Sequence, residues 1–180
     1  MVYDARGPVP LHPVESVGEG RAEVPADPRD LQGTFRYRRV VEVRFGDTDA
    51  MGHVNNAVFL TCMELARAGY YRTATGGRAG IGATDRDQSF ILADARLTFR
   101  APAFFGEFLT VEARTAQVGT RSFTTDFRIT APESPYGAAR LIVVASSVQV
   151  GYDYDAGHVQ PIRDDVVVAL ESFEGRRLRD

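Results

Sequence analysis

The sequence predicts an α+β domain in which a single antiparallel sheet packs around one long helix. Three observations carry this. Four segments alternate apolar and polar residues at period two and a fifth is apolar on both faces, residues 56–73 carry a helical period, and a shorter helical pattern closes the chain.

The elements follow in chain order. Residues 1–33 hold five of the nine prolines (Pro8, Pro10, Pro13, Pro25 and Pro28) with Gly7, Gly18 and Gly20. Pro and Gly deny this stretch a ladder or a helix, so it reads as an extension to a domain spanning 34–157. From residue 35, Val41, Val43 and Phe45 alternate with Arg38, Val40, Glu42 and Arg44, the pattern of a strand with one buried face. Turn formers at 46–55 lead into the helix. Its Phe59, Met63, Ala66 and Tyr70 form one stripe, and Gly76-Gly77 ends it.

Four more strands are expected at 89–100, 107–117, 121–131 and 138–152. Ile91, Ala93, Ala95, Leu97 and Phe99 face inward on the first, Leu109, Val111 and Ala113 on the second, Phe123, Thr125, Phe127 and Ile129 on the third. The fourth is apolar on both faces, which places it mid-sheet with cover on each side. Gly106, Gly119 and residues 132–137 mark hairpin turns between them. The last segment, 158–180, carries Pro161 and a short helix opened by Asp164 and Asp165. That helix presents Val167, Val168, Leu170 and Phe173, and Gly175 with Arg176, Arg177 and Arg179 closes it in accord with the helix dipole.

Composition excludes several functions. All 21 basic residues are arginine, against 24 acidic residues, for a net charge of −3. Without lysine there is no P-loop or Schiff-base chemistry, and the mild acidity gives no electrostatic footprint for a nucleic-acid partner. The lone Cys62, between Thr61 and Met63 on the helix, closes no intrachain disulfide and reads as a packed core thiol. No apolar run approaches the ~18 residues of a membrane span, and the first 20 residues lack the apolar stretch of a signal peptide. A cytoplasmic location without a membrane partner is the expectation. GGRAGIG at 76–82 follows a helix and lacks lysine, so it reads as a flexible connection.

Residues 44–67, RFGDTDAMGHVNNAVFLTCMELAR, concentrate the reactive groups. Asp47 and Asp49 lie two apart, His53 is the only histidine between the two tails, and Asn55 and Asn56 stand at the helix entrance. A helix N-terminus offers unpaired N–H groups and the positive end of a dipole, which stabilise a carbonyl oxygen gaining negative charge. An aspartate a few residues upstream can face that same carbonyl. The same residue types also serve as plain turn and N-cap residues.

The pattern Arg44-Phe45-x-Asp47-x-Asp49-x-x-Gly52-His53-Val54-Asn55-Asn56, followed by Phe59 and Glu64-x-Ala66-Arg67, resembles the hotdog-fold acyl-CoA thioesterases of the 4-hydroxybenzoyl-CoA thioesterase type. Weaker echoes at Phe99-x-x-Pro102-x-x-x-Gly106-Glu107-x-Leu109-x-Val111 and Pro161-Ile162 extend the resemblance over roughly residues 35–165. It implies a curled sheet of about five strands wrapped around the helix. It also implies a homodimer or homotetramer whose sites draw on two chains, and an acyl-CoA substrate or an acyl carrier protein thioester, with no cofactor and no metal. By position it makes Asp49 the catalytic carboxylate, acting on the thioester directly or by activating water. The backbone N–H of Asn56 becomes the carbonyl-polarising donor and His53 a further catalytic position. Asp47, Asn55, Phe59 and Glu64 become substrate-binding positions, although Glu64 with Arg67 also reads as a plain ion pair.

The inventory suits that chemistry. A thioester has a good leaving group, so one carboxylate and one oxyanion donor suffice, and the chain has no Gly-x-Ser-x-Gly elbow. Rival readings are a metal site from Asp47, Asp49 and His53, a non-catalytic acyl-CoA or lipid-binding protein of the same fold, and a hotdog hydratase. A calcium loop counted from Asp47 has Gly52 at its sixth position but Val58 at its twelfth, so that version fails. With no lysine, the phosphates of coenzyme A would fall to arginines, for which Arg96, Arg100, Arg121 and Arg128 are candidates. Phe90, Phe99, Phe104, Phe105 and Phe108 suit an aryl or a fatty acyl group alike.

Overall fold

Strands that bury only one face must alternate, and that alternation builds the sheet. Leu109, Val111 and Ala113 on one strand and Phe123, Phe127 and Ile129 on the next are all buried, as the period-two pattern requires. The structure is a computed structural model that describes residues 34–80 and 88–179. The readings of residues 1–33, and of the 76–82 connection beyond Gly80, lie outside the described residues.

Among the described residues the order is β1 (Tyr37–Glu42), a 3-10 turn (Phe45–Asp47), α1 (Asn56–Thr75), β2 (Ala79–Gly80), β3 (Gln88–Phe99), β4 (Phe108–Val118), β5 (Ser122–Ala131), β6 (Arg140–Asp153), β7 (His158–Val159) and α2 (Asp164–Glu174). They form one sheet in the order β1-β4-β5-β6-β3-β2, with β7 against β6. The five long strands pair antiparallel; only the two-residue β2 runs parallel to its neighbour β3. Helix α1 packs against β4 and β1, its Phe59, Met63, Ala66 and Tyr70 stripe buried as predicted, and α2 packs beside it. Gly76 ends α1 in the left-handed conformation, φ 61°, which a residue with a Cβ adopts only at a cost.

Five expectations need correction. Phe45 does not continue the inward face of β1, because the chain turns into the 3-10 element there and leaves Phe45 73% exposed. On β3 the register shifts between Leu92 and Asp94, so the inward parity changes within the strand. Phe90 is therefore buried and Ile91 and Ala93 exposed, while Ala95 and Leu97 are half-buried and Phe99, though 44% exposed, packs against Phe59. Gly106 does not mark a hairpin, since β3 pairs with β6 and β4 pairs with β1 and β5. Residues 100–107 instead carry the chain from one side of the sheet to the other. Strand β6 does lie inside the sheet, but its outer residues Val144, Ser146, Val148 and Val150 are half-buried rather than covered. On α2, Val166 is buried in place of Val168.

The far end of α1 is held by polar groups inside the core. The Tyr70 hydroxyl donates to Glu174 Oε1 at 2.5 Å and lies 2.8 Å from Thr115 Oγ1; the Tyr71 hydroxyl bonds Thr125 Oγ1 at 2.8 Å and Gln149 Oε1 at 2.9 Å. Burial pushes both phenols up, and the Glu174 carboxylate adds to the effect at Tyr70.

Candidate active site

The segment between β1 and α1 folds on itself through short-range bonds. Thr48 and Val54 form an isolated antiparallel bridge, the Asp49 N–H donates to the His53 carbonyl at 3.0 Å, and the Gly52 N–H donates to the Asp49 carbonyl at 3.0 Å. Gly52 sits at φ 83°, the conformation that lets the chain reverse here. The Met51 N–H donates to Asp49 Oδ1 at 2.8 Å, so the loop fixes the carboxylate through its own backbone. Asp49 Oδ2 lies 3.6 Å from His53 Nδ1, and both side chains remain partly open to solvent. The carboxylate is thus oriented but not consumed.

The loop ends in a helix N-terminus. Asn55 is the N-cap: its Oδ1 accepts the Ala57 N–H at 2.9 Å, and its own N–H donates to the Asp47 carbonyl at 2.9 Å. Asn56 is the first helical residue, so its N–H has no intrahelical acceptor, and among the described residues it has no other. Buried Val54 anchors the junction, donating its N–H to the Ala103 carbonyl at 2.8 Å.

Asp47 is used differently. Its Oδ2 accepts the Arg44 backbone N–H at 2.8 Å and Nε at 3.2 Å, and its Oδ1 accepts Nη2 at 2.9 Å. These hydrogen bonds from Arg44 hold the Asp47 carboxyl below its ordinary range. Asp47, Asp49, His53, Asn55 and Asn56 therefore share one loop, whereas Phe59 and Glu64 lie farther along α1. Phe59 is buried against Phe99, with ring centroids 5.7 Å apart, and Glu64 is 46% exposed, 3.7 Å from Arg67. Cys62 is buried, and burial together with the Asp47 charge pushes its thiol up to about 11. Among the described residues, Asp47, Asp49 and His53 do not gather into a group that could hold a metal ion.

The arginine candidates separate as well. Arg128 Nε bonds Glu112 Oε2 at 2.6 Å and its guanidinium lies 4.8 Å from the Phe35 ring centroid; Arg96 is strongly exposed, 3.4 Å from Asp94. Arg121 is exposed and Arg100 half-buried. Two residues that the sequence reading left without a role are prominent near the site. Buried Glu107, at the end of the 100–107 segment, pairs with half-buried Arg140 at 2.7 Å. The Gly106-Glu107 echo was the only signal for the first of them. Nothing in the spacing links it to a partner 33 residues on.

Comparison with known proteins identifies the family and the fold. Residues 43–170 match the family model described as the thioesterase-like superfamily. A curated 1,4-dihydroxy-2-naphthoyl-CoA hydrolase from Synechococcus elongatus is 29% identical over 110 residues, spanning 60% of this chain and 78% of the relative. A crystal structure of a Thermus thermophilus thioesterase complexed with coenzyme A and zinc is 30% identical, with a TM-score of 0.64 over 80% of this chain and 98% of that one. The 4-hydroxybenzoyl-CoA thioesterase of a Pseudomonas species shares the fold at 17% identity, TM-score 0.62, over 73% and 96% of the two chains. The chain belongs to the thioesterase-like superfamily, with the hotdog fold, and is a thioester hydrolase. No helix among the described residues is long and apolar enough to cross a membrane.

Proposed function

We propose that this enzyme hydrolyses acyl-CoA thioesters with Asp49 as its carboxylate catalyst and the Asn56 N–H as its carbonyl-polarising donor. One observation carries the reading: a single short loop holds an oriented, solvent-accessible carboxylate at one end and, at the other, a helix-terminal N–H unpaired among the described residues. As the carbonyl carbon becomes tetrahedral, its oxygen gains charge that the N–H and helix dipole stabilise. Asp49 acts in one of two ways. It takes a proton from the water that attacks the carbonyl, or it attacks directly, the C–S bond breaks, and water then cleaves the anhydride. In both, the thiolate leaves and is protonated, and the acid is released.

His53 beside Asp49 tunes the orientation of the carboxylate, and Asn55 serves by capping the helix. Asp47 belongs to the scaffold through Arg44. Phe59 shapes the floor of the acyl site, and Glu64 stands at its rim. Coenzyme A as the carrier is supported by the names of the relatives, and a cytoplasmic location by the free, buried Cys62. Assembly as a homodimer or a pair of dimers is supported by β3, which borders the sheet and pairs with β2 at only two positions while exposing Ile91 and Phe99.

A hydrolysis panel from acetyl- to palmitoyl-CoA, with benzoyl- and phenylacetyl-CoA, read by release of free thiol, tests the activity. Turnover of at least one group is expected. Acyl-CoA that raises the melting temperature without any thiol release would establish a binding protein instead.

A further inference from the structure

We propose that the pair of buried Glu107 and half-buried Arg140 is a positioning device for the catalytic loop, acting through the single carbonyl of Ala103; the inference rests on the site assigned above. The argument is one of connectivity. Residues 100–107 cross from β3 to β4 without a ladder of their own, so side chains must satisfy much of their backbone. Arg140 donates from Nε and Nη2 to the Pro102 carbonyl at 3.2 and 3.1 Å. Glu107 Oε2 accepts the Phe104 N–H at 2.9 Å. Ala103, fully buried, thus lies between two residues whose backbone groups are gripped by the two members of one ion pair.

The pair is bonded through one nitrogen: Arg140 Nη2 reaches Glu107 Oε1 at 2.9 Å and Oε2 at 2.7 Å, the Ser134 hydroxyl donates to Oε1 at 2.5 Å, and Arg140 Nη1 is buried without a partner among the described residues. Between the gripped residues, the Ala103 carbonyl accepts the Val54 N–H. Val54 precedes the N-cap of α1 and bridges to Thr48, so this bond fixes both ends of the loop that carries Asp49 and Asn56. The Gly106 N–H to the Val43 carbonyl and the Val43 N–H to the Glu107 carbonyl, at 3.0 and 2.8 Å, tie the same crossing to the strand entering the loop.

A buried pair contributes little net stability, because desolvation offsets attraction, but it imposes one geometry on the groups it contacts. Catalysis is sensitive to such geometry: a displacement of about 1 Å lowers a rate on the order of 10²-fold. The pair touches no reacting atom by this account, so it is a positioning element.

The test uses full-length Arg140→Lys, Arg140→Met and Glu107→Gln, with Asp126→Asn as a control. Asp126 on β5 pairs with Arg114 on β4 at 3.1 Å, and its loss should lower thermal stability only. The expected result is a kcat reduced on the order of 10- to 100-fold in Arg140→Met and Glu107→Gln with KM within about twofold, and partial recovery in Arg140→Lys. In an Asp49→Asn background the Arg140→Met change should lower kcat by a smaller factor than in the wild type, since the carboxylate it positions is gone and only the Asn56 donor remains. Retention of wild-type kcat by soluble, cooperatively melting Arg140→Met, or full additivity with Asp49→Asn, would overturn the proposal. If a variant does not fold, Arg140→Lys and Glu107→Gln decide by the same split. A wild-type chain that hydrolyses no thioester would instead remove the functional reading.

Discussion

The two ends of helix α1 are built to opposite rules. At the N-terminal end the Asn56 N–H has no acceptor among the described residues, and Asp49 keeps Oδ2 free of any bond closer than 3.6 Å. At the C-terminal end both tyrosine hydroxyls are buried and bonded, and their rings meet at 5.4 Å within a cluster that includes Phe90, Phe123 and Phe173. Satisfied polar groups in a low dielectric lock one arrangement, while unsatisfied ones at a surface are available to a substrate. The contrast teaches that this helix is anchored at one end while the other keeps the groups of the proposed site without partners among the described residues.

The sharpest way to break the comparison is Asp49→Asn. An amide keeps the shape and the Met51 N–H bond but is neither a base nor an attacking carboxylate. Loss of kcat by about 10²-fold or more is expected, with the melting temperature close to wild type. Near-normal turnover of every active acyl-CoA would place the chemistry elsewhere. Next in size, the proposed pairing of β3 predicts a mass of at least twice 19.7 kDa by light scattering at micromolar concentration. A fully active monomer would end that proposal.

The opposite outcome is expected at the anchored end. Tyr70→Phe removes a hydroxyl that serves Glu174, Thr115 Oγ1 and the Thr115 N–H together, leaving buried groups short of a partner. The cost is on the order of 1–3 kcal/mol, or roughly 2–4 °C of melting temperature for each kcal/mol in a chain of this size. Turnover by the folded fraction should be unchanged. A kcat that falls while the melting curve stays put would show that the two ends are not separate in function.

How much of this was legible in the sequence follows the same division. One-sided burial writes itself as alternation, so β4, β5 and the helical stripe were readable, and Gly76 marked the helix stop. A bulge has no such signature. The shift after Leu92 moved Phe90 inside and Ile91 outside, against the period-two count. The motif loop was readable because, the Val54 bond to Ala103 apart, its bonds join residues no more than eight apart, such as Met51 to Asp49 and Asn55 to Asp47. The buried polar groups were not, since Tyr70 meets Glu174 across 104 residues and Arg140 meets Glu107 across 33. Only the completed sheet brings them together.

The smallest effect concerns the one fully built part of the working end, the Asp47–Arg44 pair. Arg44 holds the Asp47 carboxyl below its ordinary range, so folding favours the charged form. Its stabilising contribution is complete above the ordinary aspartate value of about 3.9 and is lost as pH falls through the lowered value in the folded protein. Glu171 shifts in the same direction because the backbone N–H groups of Leu178 and Arg179 bond its Oε1, so acid weakens the far end as well. Melting temperature measured from pH 7 downward should decline below about pH 4 in the wild type. Asp47→Asn should begin slightly lower at neutral pH, fall less steeply, and meet the wild-type curve in acid, with Glu171 accounting for part of the remaining slope. Parallel curves at all pH values would mean that Asp47 contributes as a hydrogen-bond acceptor alone and that its charge does not matter to the loop.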